Sequence, residues 1–272
     1  MKNLFIGYGL LQATLCSAQV VQQPVFIEAA GMGAYSNRFT DCFSSLTNPA
    51  SLSSLPHFTA GVLAEKKFML AELNHFIAVL GIPAGKGGIG ITTGWYGNSD
   101  YNETAMSVAY GKKLGKVNIG IAFRYTMLRI AGYGSDAATG FTLGSTWQVT
   151  PEICAGFELV NPAGGKFSKN PGEKLPAIYK TGLGYEVSEK LLLVTEVIKE
   201  ENKPVSVHAG MQYKIAGKLI TRFGITTAGS SPYFGAGWRW KNMRVEVLAG
   251  YHTRLGITPG LMLVYTGKNR KG

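Results

Sequence analysis

The sequence predicts an all-β chain, a transmembrane antiparallel β-barrel of about 14 strands with an amino-terminal segment packed in its lumen. Three observations carry this prediction. From Pro56 onward, large apolar residues recur at every second position, the period of a strand with one face in an apolar environment. The connections between these segments alternate between tight turns and longer loops. Glycine supplies 36 of 272 residues and only 16% are charged, against about 25% charged in an average chain. The same composition excludes other classes. With 46% hydrophobic and 11% aromatic residues the chain is not disordered. No apolar run after the first twenty positions is long enough for a membrane helix, and three cysteines are too few for a disulfide scaffold.

The amino terminus comes first. Met1-Lys2 precedes a mostly apolar stretch over residues 4–15, and Cys16-Ser17-Ala18 places small residues at the −3 and −1 positions before Gln19. This is the pattern of a secretory signal peptide over residues 1–18. A buried first strand is the alternative. Acylation of Cys16 is set aside because Leu15 is too large for the preceding position. Loss of Lys2 would leave 26 basic and 16 acidic residues, net +10. Export would place Cys42 and Cys154 where a disulfide is allowed, and either that bond or two buried thiols fits the sequence.

Residues 19–55 break the alternation. They are moderately apolar and carry few charges, so they need a protected volume, and the lumen supplies it. Gly31 and Gly33 permit close backbone approach, and Asn48-Pro49 favours a turn or helix start. The segment is expected to form a plug.

The barrel is expected over residues 56–268. Val117, Ile119, Ile121, Phe123, Tyr125 and Met127 share one face, opposed by Asn118, Gly120, Ala122, Arg124 and Thr126. The split recurs near Phe141, Val207, Phe234 and Val245. Tight turns carry Lys86, Lys116, Lys190, Lys218 and Lys241, whereas longer connections are expected at 97–102, 131–137, 161–176 and 252–258. Outer-membrane barrels have short periplasmic turns and longer outer loops, and closure removes sheet edges that cannot face lipid. A soluble sandwich or lipocalin-like barrel also alternates, but without this asymmetry of turn length. Trp95, Tyr96, Tyr101, Trp147, Trp238 and Trp240 near strand ends suit aromatic girdles.

With both termini periplasmic, the tight-turn lysines, Lys268 and a basic tail at 269–272 gather positive charge on one side. Contact with the headgroups of outer-membrane lipids accounts for it, with an acidic protein partner as the alternative; no nucleic-acid partner is expected. Inward-facing charges are predicted at Arg124, Glu158, Glu196, Arg222, Arg239, Arg244 and Glu246. They form either an internal network of paired charges or a solute-binding lumen. Of His57, His75, His208 and His252, only His208 is predicted inward, so no metal site is expected. Gly85-Lys86-Gly87-Gly88-Ile89-Gly90 matches a dinucleotide fingerprint in letters only, because a strand pattern follows it where a helix is required. No nucleophile motif is present. The chain is expected to be neither an enzyme nor a cofactor protein.

One segment also carries a resemblance. Gly31-Met32-Gly33, the acidic Asp41, and Asn48-Pro49-Ala50-x-Leu52 before the first strand resemble the amino-terminal signature of the FadL-type outer-membrane barrel superfamily. That superfamily includes long-chain fatty acid transporters and the PorV and PorQ barrels of the Bacteroidetes type IX secretion system, to which the chain looks most similar. Here a single Asp41 precedes Cys42 where family members commonly have two acidic residues, and where members usually have larger outer loops only 161–176 is long. The resemblance implies fourteen strands and a plug or hatch. It also implies a non-enzymatic partner role beside secretion or surface-attachment proteins, or alternatively transport of a small hydrophobic, fatty-acid-like solute.

Overall fold

The alternating segments form fourteen strands: β1 (Thr59–Lys66), β2 (Asn74–Ala84), β3 (Gly87–Gly97), β4 (Tyr101–Leu114), β5 (Val117–Ile130), β6 (Gly134–Gln148), β7 (Ile153–Val160), β8 (Ile178–Glu186), β9 (Leu191–Glu200), β10 (Ser206–Ile215), β11 (Leu219–Thr226), β12 (Ser231–Trp240), β13 (Met243–His252) and β14 (Gly256–Thr266). They belong to a computed structural model that describes residues 24–165, 167–168, 175–227 and 231–267. The expected signal peptide and the basic tail, with Lys268, lie outside the described residues. Each strand pairs antiparallel with its sequence neighbours. Pairing of β1 with β14, Thr59 opposite Thr266 and Glu65 opposite Gly260, closes the barrel.

Alternation sorts the side chains as expected. Ile119, Ile121, Phe123 and Tyr125 are exposed on the outer surface, while Asn118 and Thr126 are buried toward the lumen. The outer belt of exposed Val, Ile, Leu, Phe and Met suits acyl chains as its solvent. No helix among the described residues is long and apolar enough to cross a membrane. Trp147, Trp238 and Trp240 are exposed near the tight-turn ends of their strands, where a girdle would stand. Tyr96 departs from that expectation. It faces the lumen and is buried against the His75 ring, 5.3 Å between centroids.

Three of the four connections expected to be long are short. β3 runs to Gly97 and β4 starts at Tyr101; β5 runs to Ile130 and β6 starts at Gly134; β13 and β14 are separated by three residues, 253–255. The glycines that resemble loop punctuation instead make tight reversals possible, with Gly97 at φ +108° and Gly134 at φ +94°. Only the 161–177 connection stays long.

Inside the barrel lie α1 (Ile27–Gly31), a 3₁₀ turn over Met32–Tyr35, α2 (Ser44–Thr47) and a 3₁₀ turn over Pro49–Ser54. The main hydrophobic core is therefore the contact between this segment and the inner wall: Phe26, Tyr35 and Phe43 pack with Leu63, Leu192, Leu248 and Met262. Wall glycines make the space. A Cβ at Gly156, Gly182 or Gly184 would come within 3.0 Å of Tyr35, and one at Gly120 or Gly144 within 3.0 Å of the Asn48–Ala50 stretch.

Candidate functional site

The site is the plugged lumen and the cavities above and below the plug. Local contacts shape the plug. Gly31 lies against Thr47, and Gly33 against the Phe39 carbonyl and Ser44, so neither position has room for a side chain. Asp41 starts the turn that leads into α2: its carboxylate accepts from the Phe43 amide at 2.9 Å, and the Ser44 hydroxyl accepts from the Asp41 amide at 3.1 Å. Asn48 caps the following 3₁₀ turn, accepting from the Ala50 amide at 3.0 Å, with Pro49 at its first position. The same side chain donates to the carbonyls of Ser145 and Phe157, at 3.2 and 3.1 Å, which anchors the plug to β6 and β7. Met32 is buried beside Gly210.

Two charged clusters then tie the plug to the wall. In the first, Arg222 pairs with Glu246 at 2.8 Å and donates to the Ala29 carbonyl at 2.6 Å. Arg244 pairs with Glu246 at 2.5 Å and with Asp41 of the plug at 2.6 Å. In the second, the Tyr35 hydroxyl donates to Glu196 at 3.1 Å, and Glu196 faces His208 Nδ1 at 3.0 Å. His208 Nε2 lies 2.8 Å from the Tyr233 hydroxyl. A neutral imidazole protonated on Nδ1 satisfies both contacts. Lys180 pairs with Glu158 across β7 and β8 at 3.0 Å, and Arg124 lies near the Glu158 carboxylate.

Of the predicted inward charges, Arg222, Glu246 and Arg244 thus meet in one cluster, Glu196 and His208 in another, and Glu158 and Arg124 beside it. Arg239 is exposed at the tight-turn end, opposite Arg244 across β12 and β13. The structure adds Lys180, Glu65, Glu186 and an inward His75. Glu65 accepts from the Val25 and Phe26 amides at 2.8 and 3.2 Å, and Glu186 accepts from the Ser36 hydroxyl at 2.6 Å and the Asn37 amide at 2.9 Å. Strand parity marks Lys180, two and four residues before the inward Gly182 and Gly184. In β1 no such signal exists, because buried Leu63 and Glu65 share the inward face. Among the described residues no group of acidic, histidine or cysteine side chains could hold a metal ion.

Cys42 and Cys154 are free buried thiols, so the disulfide alternative is not formed. Cys42 packs toward Gly61 of β1, whereas Cys154 sits in β7 on another part of the wall. Burial pushes the Cys42 thiol well above its ordinary value.

Three cavities flank the plug. At the long-loop end, a vestibule of about 580 Å³ is bounded by Pro24, Val25, Glu28 and Phe68. Its rim is strained: Phe68 and Met69, between β1 and β2, stand at φ +55° and +61°. Glu28 lies deep enough in the barrel that burial raises its carboxyl above the usual range. A smaller cavity of about 60 Å³ lies beside the plug, lined by Ile27, Leu46, Ile77 and Arg124, and Pro24 borders it as well as the vestibule. The third, about 270 Å³, lies at the tight-turn end.

No protein-family model matches the chain, and no curated protein matches its sequence. Solved structures do match. A monoaromatic hydrocarbon channel, CymD, superposes with a TM-score of 0.63 at 11% identity, over 89% of this chain and 97% of that one. A FadL homologue of Pseudomonas aeruginosa gives 0.62 at 11% identity, over 87% and 96%. The toluene transporter TbuX of Ralstonia pickettii gives 0.61 at 12% identity, over 84% and 94%. Likeness at such identity is likeness of backbone: the chain shares with these proteins the fold of a closed antiparallel β-barrel.

Proposed function

We propose that this protein admits a small hydrophobic molecule across the outer membrane, from the vestibule past a plug that yields. The vestibule itself carries the reading. Pro24 lines both the vestibule and the smaller cavity beside the plug, so the first described residues of the plug border the two. That start is held by two amides donating to one carboxylate, Glu65. The backbone shared with hydrocarbon channels supports the same reading. The test is uptake of toluene and of oleate by cells carrying the barrel in an outer membrane that lacks its own hydrocarbon channel. Uptake faster than in the empty host is expected; uptake at the host rate would overturn the reading.

A second reading has its own observation. The plug is tied to the wall by buried ion pairs at Asp41–Arg244 and by Asn48, which suits a non-conducting partner of secretion or surface-attachment proteins, similar to PorV and PorQ. Cross-linking in native membranes followed by purification should then recover one defined partner. Recovery of the barrel alone would count against it.

A further inference from the structure

We propose that the cavity at the tight-turn end is a binding site for one oxyanion, a carboxylate or a phosphate. Arg38, Lys214, Arg239, Lys241 and Arg244 line it, against the single carboxylate of Asp41. Two of these cations are already paired, Arg38 with Glu186 at 3.2 Å and Arg244 with Asp41 at 2.6 Å. Lys214, Arg239 and Lys241 have no carboxylate at ion-pairing distance among the described residues.

The arrangement is costly without a ligand. Arg239 and Arg244 are directly opposed across β12 and β13 on the inner face, and like charges placed so destabilise a sheet. Lys214 is held with its ammonium 3.6 Å from the centroid of the Phe39 ring, a contact that fixes the charge at the cavity while stripping water from one side. A concave site lined by one sign of charge focuses its potential on whatever enters.

A second observation points to a ligand independently of charge. Gln212 lines the same cavity, is 2% exposed, and its carboxamide oxygen has no hydrogen-bond partner. A buried orphan acceptor is disfavoured. The carboxamide turned over presents N–H donors to the cavity instead, and an oxyanion is the group that accepts from them and from the cations together. The volume of about 270 Å³ holds a headgroup with a few carbons. Two sources have this chemistry: the carboxylate of an amphiphile leaving the lumen, and the phosphate of a lipid in the adjoining leaflet.

The test uses the whole barrel purified in a maltoside detergent, which carries neither group. Sodium octanoate and glycerol 3-phosphate are titrated separately and in competition by calorimetry. One-to-one binding of either is expected, weakened about tenfold or more in a K214Q/R239Q double variant and unchanged in K112Q, an exposed lysine of β4 outside the cavity. Octanoate alone identifies a carboxylate as the ligand, glycerol 3-phosphate alone a phosphate, and mutual competition a shared site. Heat-modifiable migration in gels shows that the double variant is folded. Failure of both probes to bind, or undiminished binding by the folded double variant, would overturn the proposal. Neither result depends on whether the barrel transports toluene or oleate.

Discussion

Tyr35 shows how single residues decide the interior. Its ring lies where a Cβ on Gly156, Gly182 or Gly184 would be, and its hydroxyl meets Glu196. Gly182→Val should therefore cost about 1–3 kcal/mol by overpacking, read as a lower urea midpoint of the purified barrel. Arg244→Gln should cost more, about 3–5 kcal/mol, since it strips Asp41 and Glu246 of a buried partner; removing the charges together, as Arg244→Met with Asp41→Leu, should cost less than the sum. Glu28 gives a pH signature. Its folded-state carboxyl is raised, so the folded state binds the proton more tightly than the unfolded one, and stability falls as pH climbs through the interval between the two values. Glu28→Gln should accordingly stabilise the plug at neutral pH and change little at about pH 4, measured by urea unfolding at the two pH values. At this scale the sequence was legible where strand parity holds: Glu196, His208, Arg222, Arg244 and Glu246 all face inward as alternation requires. Glu65 and His75 were missed because β1 and β2 bury Leu63, Ile77 and Val79 inward as well, so residue size no longer marks the lumen face.

Among elements, the strands were readable and their ends were not. Period-two alternation locates strands because lipid and lumen impose opposite demands on neighbouring residues. It says nothing about where a hairpin reverses, and Gly97 and Gly134 continued their ladders further than their composition implied. The lipid face gives a clean prediction: Val247, 61% exposed near the middle of β13, should cost about 2–4 kcal/mol when replaced by Arg, measured by folding into lipid vesicles. The plug was legible as a segment that is not a strand, from its break in alternation and the Asn48-Pro49 cap. Its contacts were not, since they depend on glycine vacancies contributed by strands far away in sequence. Glu65→Ala releases the Val25 and Phe26 amides and should raise single-channel conductance events above those of the unaltered barrel in planar bilayers; silent bilayers for both would show that the start of the plug does not gate.

The whole molecule is polarised. A vestibule with a strained rim stands at one end, a cationic cavity at the other, and a charged, hydrogen-bonded plug lies between. Part of the positive charge of the chain, at Lys214, Arg239 and Arg244, lies inside the mouth of the lumen and not in the tight turns. Summed charge cannot distinguish those two positions; only closure of the sheet does. The overall architecture followed from alternation, with turn length a weaker guide because three of the four connections expected to be long are short, whereas its polarity required the three-dimensional positions of about a dozen side chains.

The glycine vacancies around Tyr35, Asn48 and Pro49 have a bearing on how wall and plug fit together. They are contributed by β5, β6, β7 and β8, and the plug that fills them precedes β1 in the chain. A side chain at any of these positions would meet the plug, so a wall that closes around this segment needs glycine there. The fit of plug to wall is thus set by both, and a change in either is felt by the other.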